Sequence, residues 1–135
     1  MSILYDEGKQ AIAIEAKRVL EARVLPGKLL TLLETEGQFD TAFRDTAKEQ
    51  GWTGIAIPEE HGGPGLTLVE LGIISFACGG VISGAPFLTS SFRAARAILD
   101  HSLDDLKAKW LPKLASGEAI GVTAFAKKQS PVPSK

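Results

Sequence analysis

The sequence predicts an all-α fold, a bundle of about six helices with one short C-terminal strand. Three observations carry that expectation. Apolar residues recur at three- and four-residue steps through most segments, which is the period of a helix with one buried face. Glycine and proline punctuate the joints between these segments. A single stretch, "AIGVTAFA", combines apolar and β-branched residues in the manner of a strand.

From about Ile3 to Val24, the residues Leu4, Ala11, Ile12, Ala16, Val19, Leu20 and Val24 form an apolar stripe. Lys9, Glu15, Lys17, Arg18 and Glu21 fall largely off it, so the segment reads as an amphipathic helix that Pro26–Gly27 punctuates. Leu29, Leu30, Leu32 and Leu33 suggest a second, short helix. A third begins at Phe39-Asp40, where Asp40 can cap the orphan amides and Phe43 and Ala47 supply the buried stripe. Gly51 sits where a left-handed residue closes that helix, with Trp52 folding back on Ala47. "TGIAIP" reads as extended, stopped by Pro58.

Between Leu71 and Phe92 there are 22 residues without a charge. A membrane span needs about 20 such residues, but Gly72, Gly79, Gly80, Gly84 and Pro86 favour two buried helices hinged at Ser83–Gly84. Pro86 suits the first turn of the second, which continues through Phe92, Ala95, Ile98 and Leu99. Ser102 with Asp105 makes an imperfect capping box for the last helix. Leu103, Leu106, Trp110 and Leu114 form its apolar face; Pro112 should disturb it and Gly117 should end it. The strand in "AIGVTAFA" has no evident partner in the chain, although strand backbone groups need one. The tail, residues 127–135, is polar and proline-rich and is expected to be flexible.

The chain has 135 residues, the size of one domain. Its 15 basic and 16 acidic residues leave a net charge of -1, and no segment concentrates base. That argues against nucleic acid, whose phosphates need a clustered cationic face. Cys78, alone, cannot form an internal disulfide, which fits a reducing compartment. The start, "MSILYDEGKQ", lacks the charged and apolar regions of a signal peptide. The expectation is a cytoplasmic protein.

The residues assemble no catalytic constellation by themselves. "HGGPG" has the His-Gly-Gly run of an esterase oxyanion loop, but no G-x-S-x-G pentapeptide accompanies it. A phosphate cradle is no better supported, because there is no G-x-x-x-x-G-K-[ST] and Pro64 removes an amide. A tight turn is the simpler reading. His61 and His101 lack ligand-like neighbours, so no metal site is expected. Cys78 lies among apolar residues as an inert core thiol. Glu59 and Glu60 read as a solvated turn, Arg93 and Arg96 as a solvated edge, and Trp52 and Trp110 as core.

Taken in order, three segments are more telling. "GWTGIAIPEEHGGPGLT" resembles the helix–extended–"PEE-x-GG-x-G" segment of the acyl-CoA dehydrogenases. "APFLTSSFRAARAIL" resembles the helix that follows in one branch of that family. "KAKWLPKLASGEAIGVTAFA" resembles its next signature, a basic helix leading into the first strand of a middle domain. The matches run from about Ala47 to Ala126 at the family's spacing; the first 40 residues match only as helices.

The resemblance implies a helical N-terminal domain over residues 1–118 and the first strand of a missing middle β-domain over 119–126. In this family the glycine turn is a connector. Full-length members add a β-domain and a C-terminal helical bundle, bind FAD, and oxidise an acyl-CoA thioester to its 2,3-enoyl form. The proton-abstracting carboxylate belongs to the C-terminal bundle, so no residue here is assigned as catalytic. The resemblance points to Pro86, Thr89, Ser90 and Arg93 as substrate-facing residues on one wall of the acyl pocket. It points to Thr123, Phe125 and Ala126 as flavin-facing residues.

Departures accompany it. Family members often carry two glutamates and then a small-x-Gly-Arg pattern where this chain has Phe76, Ala77, Cys78, Gly79 and Gly80. The strand's usual Thr-Glu is Ala126-Lys127, and Thr123 replaces an aromatic residue. The expectation is that FAD is not held by this chain alone and that the likeness is to an incomplete enzyme, one that associates with the missing domains or a complementary subunit as an oligomer. The rival reading is a non-enzymatic helical module whose apolar surface binds a protein partner or a lipid-like chain.

Overall fold

Several helices begin or end at a residue whose chemistry accounts for it. The computed structural model describes residues 6–36, 39–82 and 86–124. Among them α1 spans Glu7–Arg23, α2 Pro26–Leu33, α3 Thr41–Glu49, α4 Leu68–Gly80, α5 Ala95–His101 and α6 Asp104–Ala115. The Asp6 carboxylate accepts from the Lys9 amide and starts α1; the Asp40 carboxylate accepts from the Phe43 amide at 3.0 Å and starts α3. A capping box opens α4, in which Thr67 and Glu70 satisfy each other's backbone ends. The Thr67 hydroxyl, bonded to the Glu70 carboxylate, holds that carboxyl below its usual range despite burial. Gly51 and Gly117 adopt left-handed φ values of 68° and 69° just past α3 and α6.

The core lies in two adjoining clusters. In the first, α1 packs along α4, and Leu20, Phe43, Trp52, Ile74 and Phe87 are buried together. The Phe43 and Phe87 rings meet edge to face at 6.0 Å. In the second, Ile57 sits under Ala95, Leu111 and Leu114, which ties the glycine turn to the last two helices. Thr53 Oγ1 donates to the Ala115 carbonyl at 2.7 Å, and Arg44 donates to the Gly117 carbonyl. The all-α expectation holds, and no helix among the described residues is long and apolar enough to cross a membrane.

Five local expectations differ. "TGIAIP" is not extended: Trp52–Gly54 is a 3-10 turn, and the Ile57 amide returns to the Gly54 carbonyl at 2.8 Å. Burial of Trp52, Ile55 and Ile57 on one side of a tight coil overrides the β-branched pattern. Leu103, not Ser102, is the N-cap of α6 and makes no side-chain cap bond; Asp104 and Asp105 supply the negative charge for its first turn. Trp110 is not core. It is 40% exposed, with the Lys109 and Lys113 ammonium groups 5.3 and 5.9 Å from its ring centroid. Residues 119–124 form no strand, and no strand lies among the described residues for them to bond. Pro112 is accommodated within α6. The Ser83–Gly84 hinge, Phe125, Ala126 and the tail lie outside the described residues.

The turn at "HGGPG" reverses the chain between a 3-10 turn, Glu59–His61, and α4. Gly62 and Gly65 have φ of 83° and 67°. Gly65 and Leu66 donate back to Ile57 and Ile55, both at 3.0 Å. The His61 ring lies 3.6 Å from the neighbouring Glu60 carboxylate. This geometry is that of a connector.

Candidate functional site

The segment after Gly117 crosses the bundle between α5 and α6. Its anchor is the Gly121 amide, which donates to Ser90 Oγ at 3.1 Å. Ser90 belongs to a π-helical turn, Thr89–Ala94, that precedes α5 and buries Ser90, Ser91 and Ala94. The wider turn brings Ala94 so close to Gly121 that a Cβ on Gly121 would lie 2.4 Å from the Ala94 Cβ. Only glycine permits that approach. Insertions of this kind are common at functional sites.

Two spaces flank the anchored segment. On one side a void of about 20 Å³ is lined by Arg44, Thr53, Pro86, Ser90 and Ser91, room for about one water. On the other a cleft of about 460 Å³ is lined by Ala94, Ile98, Leu106, Trp110, Leu114 and residues 119–124. Thr123 faces this cleft, and its Oγ1 is buried without a hydrogen-bond partner. A buried hydroxyl left unpaired is costly and rare. Val122, 76% exposed, and Leu103, 77% exposed, add bare apolar surface to the same end of the molecule.

Of the substrate-facing candidates, Pro86 and Ser90 lie together at the small void. Thr89 and Arg93 stand exposed, Thr89 donating to the Pro86 carbonyl at 3.3 Å. Arg96 is engaged by both Asp100 carboxylate oxygens, at 2.7 and 2.8 Å. The structure thus groups Pro86 with Ser90, and Ser90 with the segment that carries Thr123. Of the flavin-facing candidates, Thr123 alone is described. Gly121 and the π-helical turn were not singled out from the sequence; a glycine inside an apparent strand was the available signal for close backbone approach. Cys78 is buried in α4, and burial pushes its thiol up to about 12, as for an inert core group.

The family described as acyl-CoA dehydrogenase, N-terminal domain, matches residues 6–118. The chain belongs to the acyl-CoA dehydrogenase family. It is 41% identical over 121 residues to (2S)-methylsuccinyl-CoA dehydrogenase of Cereibacter sphaeroides, covering 89% of this chain and 22% of that protein. It is 35% identical over 86 residues to L-prolyl-[peptidyl-carrier protein] dehydrogenase of Pseudomonas fluorescens, covering 61% of this chain and 23% of that one. Its fold matches the ChsE4-ChsE5 complex of Mycobacterium tuberculosis with a TM-score of 0.84 at 23% identity, over 98% of this chain and 36% of that chain. The chain therefore spans between about a fifth and two-fifths of these acyl-CoA dehydrogenase relatives and structural neighbours.

FAD, the cofactor the family implies, meets only part of its needs here. The cleft offers apolar walls, which suit the face of a flat ring. Around it Lys107 pairs with Asp104 and Lys113 with Glu118, while the Lys109 ammonium lies 5.3 Å from the Trp110 ring centroid.

Proposed function

We propose that this chain is the N-terminal helical domain of an FAD-dependent acyl-CoA dehydrogenase-type oxidoreductase, residues 1–118, forming one wall of the acyl-chain pocket and inactive without further domains. Residues 119–126 lead into a middle β-domain. The observation that carries the reading is the unfinished edge at residues 119–124. A segment without strand pairing among the described residues, an apolar cleft and the orphan Thr123 Oγ1 lie side by side there. A β-domain docked at that edge would give the segment ladder partners and cover Val122 and Leu103.

In this reading Pro86, Thr89, Ser90 and Arg93 face the acyl-CoA, with Ser90 setting the position of residues 119–124 through Gly121. Thr123 lies at the edge of the flavin ring, with Phe125 and Ala126 beyond it. FAD supplies hydride acceptance when bound in the complete assembly. The carboxylate that removes the α-proton comes from a C-terminal bundle. A reducing, cytoplasmic setting suits the free thiol of Cys78.

The test is co-expression with the β- and C-terminal domains of the methylsuccinyl-CoA dehydrogenase relative. The reading expects a co-eluting complex that absorbs near ~450 nm, the signature of bound flavin, and its loss in Val122→Glu. Co-elution that ignores Val122→Glu, or no complex at all, would count against it.

A further inference from the structure

We propose that Arg44 is a positioning residue for the segment that carries Thr123, acting by locking the chain at Gly117, where it leaves α6. The inference rests on the function proposed above, in which that segment meets the flavin.

Gly117 is a pivot. It has a left-handed φ of 69° and follows the last residues of α6. Without a side chain, it has more backbone freedom than any other residue type. The Arg44 guanidinium of α3 donates to its carbonyl across 73 residues of sequence. The surroundings close over the pivot: a Cβ on Gly117 would lie 2.5 Å from Lys48 Cγ and 3.3 Å from Thr53 Cγ2.

A helix cap would be a simpler role for Arg44, but the hydrogen bonds assign that role to other groups. The last four carbonyls of an α-helix are the ones without partners inside it. In α6 all four have donors. Pro112 accepts from the Ser116 amide at 2.9 Å, Lys113 from the Ala119 amide at 3.0 Å, and Leu114 from the Gly117 amide at 3.1 Å. Ala115 accepts from Thr53 Oγ1 at 2.7 Å. Gly117 lies beyond the helix, so the Arg44 bond is made to the exit segment.

That segment therefore has two holds, Arg44 on the Gly117 carbonyl and Ser90 on the Gly121 amide. Arg44 and Ser90 border the same small void, so both holds come from one patch of the bundle. Burial alternates beyond them: residues 119, 121 and 123 are half-buried, and 120, 122 and 124 are exposed. Rotation at Gly117 would carry Thr123 away from its cleft, and the charge-assisted Arg44 bond opposes that rotation.

Two measurements test this. On the chain alone, amide hydrogen exchange by NMR reads Gly121, whose amide bonds to Ser90 and not to Arg44. Arg44→Gln should speed exchange at Gly121 about tenfold beyond any change at Leu114 in the core of α6. Arg44→Lys, which keeps a charged donor, should exchange more slowly than Arg44→Gln. In the assembly with the relative's β- and C-terminal domains, Arg44→Gln should slow anaerobic flavin bleaching by saturating (2S)-methylsuccinyl-CoA about tenfold or more, because a small misplacement far from the chemistry is enough to do so. The thioester concentration giving half-maximal rate should move less than about twofold, since Arg44 orients the segment rather than binding substrate. Equal changes at Gly121 and Leu114 would make Arg44 a general stabiliser and overturn the proposal. So would an assembled Arg44→Gln protein that bleaches at the wild-type rate. If the wild-type assembly holds no flavin, the function proposed above fails, while exchange at Gly121 still decides whether Arg44 locks the pivot.

Discussion

Replacing Gly63 by alanine should damage the fold more than the same change at its neighbour Gly62, although Gly62 has the unusual backbone. The Cβ of an alanine at 63 would lie 2.0 Å from the Ile57 carbonyl oxygen and 2.7 Å from the Gly54 carbonyl oxygen. Neither can retreat freely. The Ile57 carbonyl accepts from the Gly65 amide at 3.0 Å, and the Gly54 carbonyl from the Ile57 amide at 2.8 Å. Relief means breaking these bonds, at about 1 kcal/mol each, plus overpacking of about 1–3 kcal/mol. The sum is about 3–5 kcal/mol, a Tm loss of roughly 10–15 °C for a domain of this size. At Gly62 the Cβ meets open space, and only the left-handed φ of 83° is penalised, at about 1–2 kcal/mol or roughly 3–6 °C. Thermal unfolding followed by far-ultraviolet circular dichroism measures both. A Gly63→Ala variant that melts at or above Gly62→Ala would refute the connector geometry.

Further outcomes follow from single contacts. Asp40→Ala removes the buried cap of α3 and should lower stability by about 1–2 kcal/mol in denaturant titration. Ser90→Ala leaves the Gly121 amide unpaired, so its hydrogen exchange should accelerate and stability should fall by about 1–2 kcal/mol. Cys78 gives a pH dependence. Its folded thiol is raised from 9.0 to about 12, so the unfolded chain releases that proton first. Its contribution is therefore fully present below about pH 9 and lost as pH rises towards 12. Cys78→Ala should show a shallower alkaline decline in Tm than wild type, and a native thiol should resist alkylation near neutral pH until the protein unfolds.

Elements governed by a few adjacent residues were legible in the sequence. Asp40 as a cap, Gly51 and Gly117 as left-handed stops, and the α1 stripe of Ala16, Val19 and Leu20 depend on short-range geometry that residue types encode directly. Features decided by distant partners were not. The β-branched run in "TGIAIP" coils because Ile57 must reach Leu111 and Leu114, which lie over fifty residues away. Trp110 sits on the apolar stripe of α6, yet no element among the described residues covers it fully, so period alone misassigned it to the core. The π-helical turn at Thr89–Ala94 leaves no composition signal, since it answers to the approach of Gly121. Ser90 was reached through the family resemblance; its tie to residues 119–124 emerges only in three dimensions.

The central claim is that this helical domain completes a pocket whose flavin and base lie on other domains. Anaerobic bleaching of flavin absorbance by (2S)-methylsuccinyl-CoA tests it most directly, using the relative's β- and C-terminal domains with and without this chain. The account predicts rapid bleaching only when the chain is present, and none from the chain alone. Equal bleaching by the other domains without it would contradict the claim.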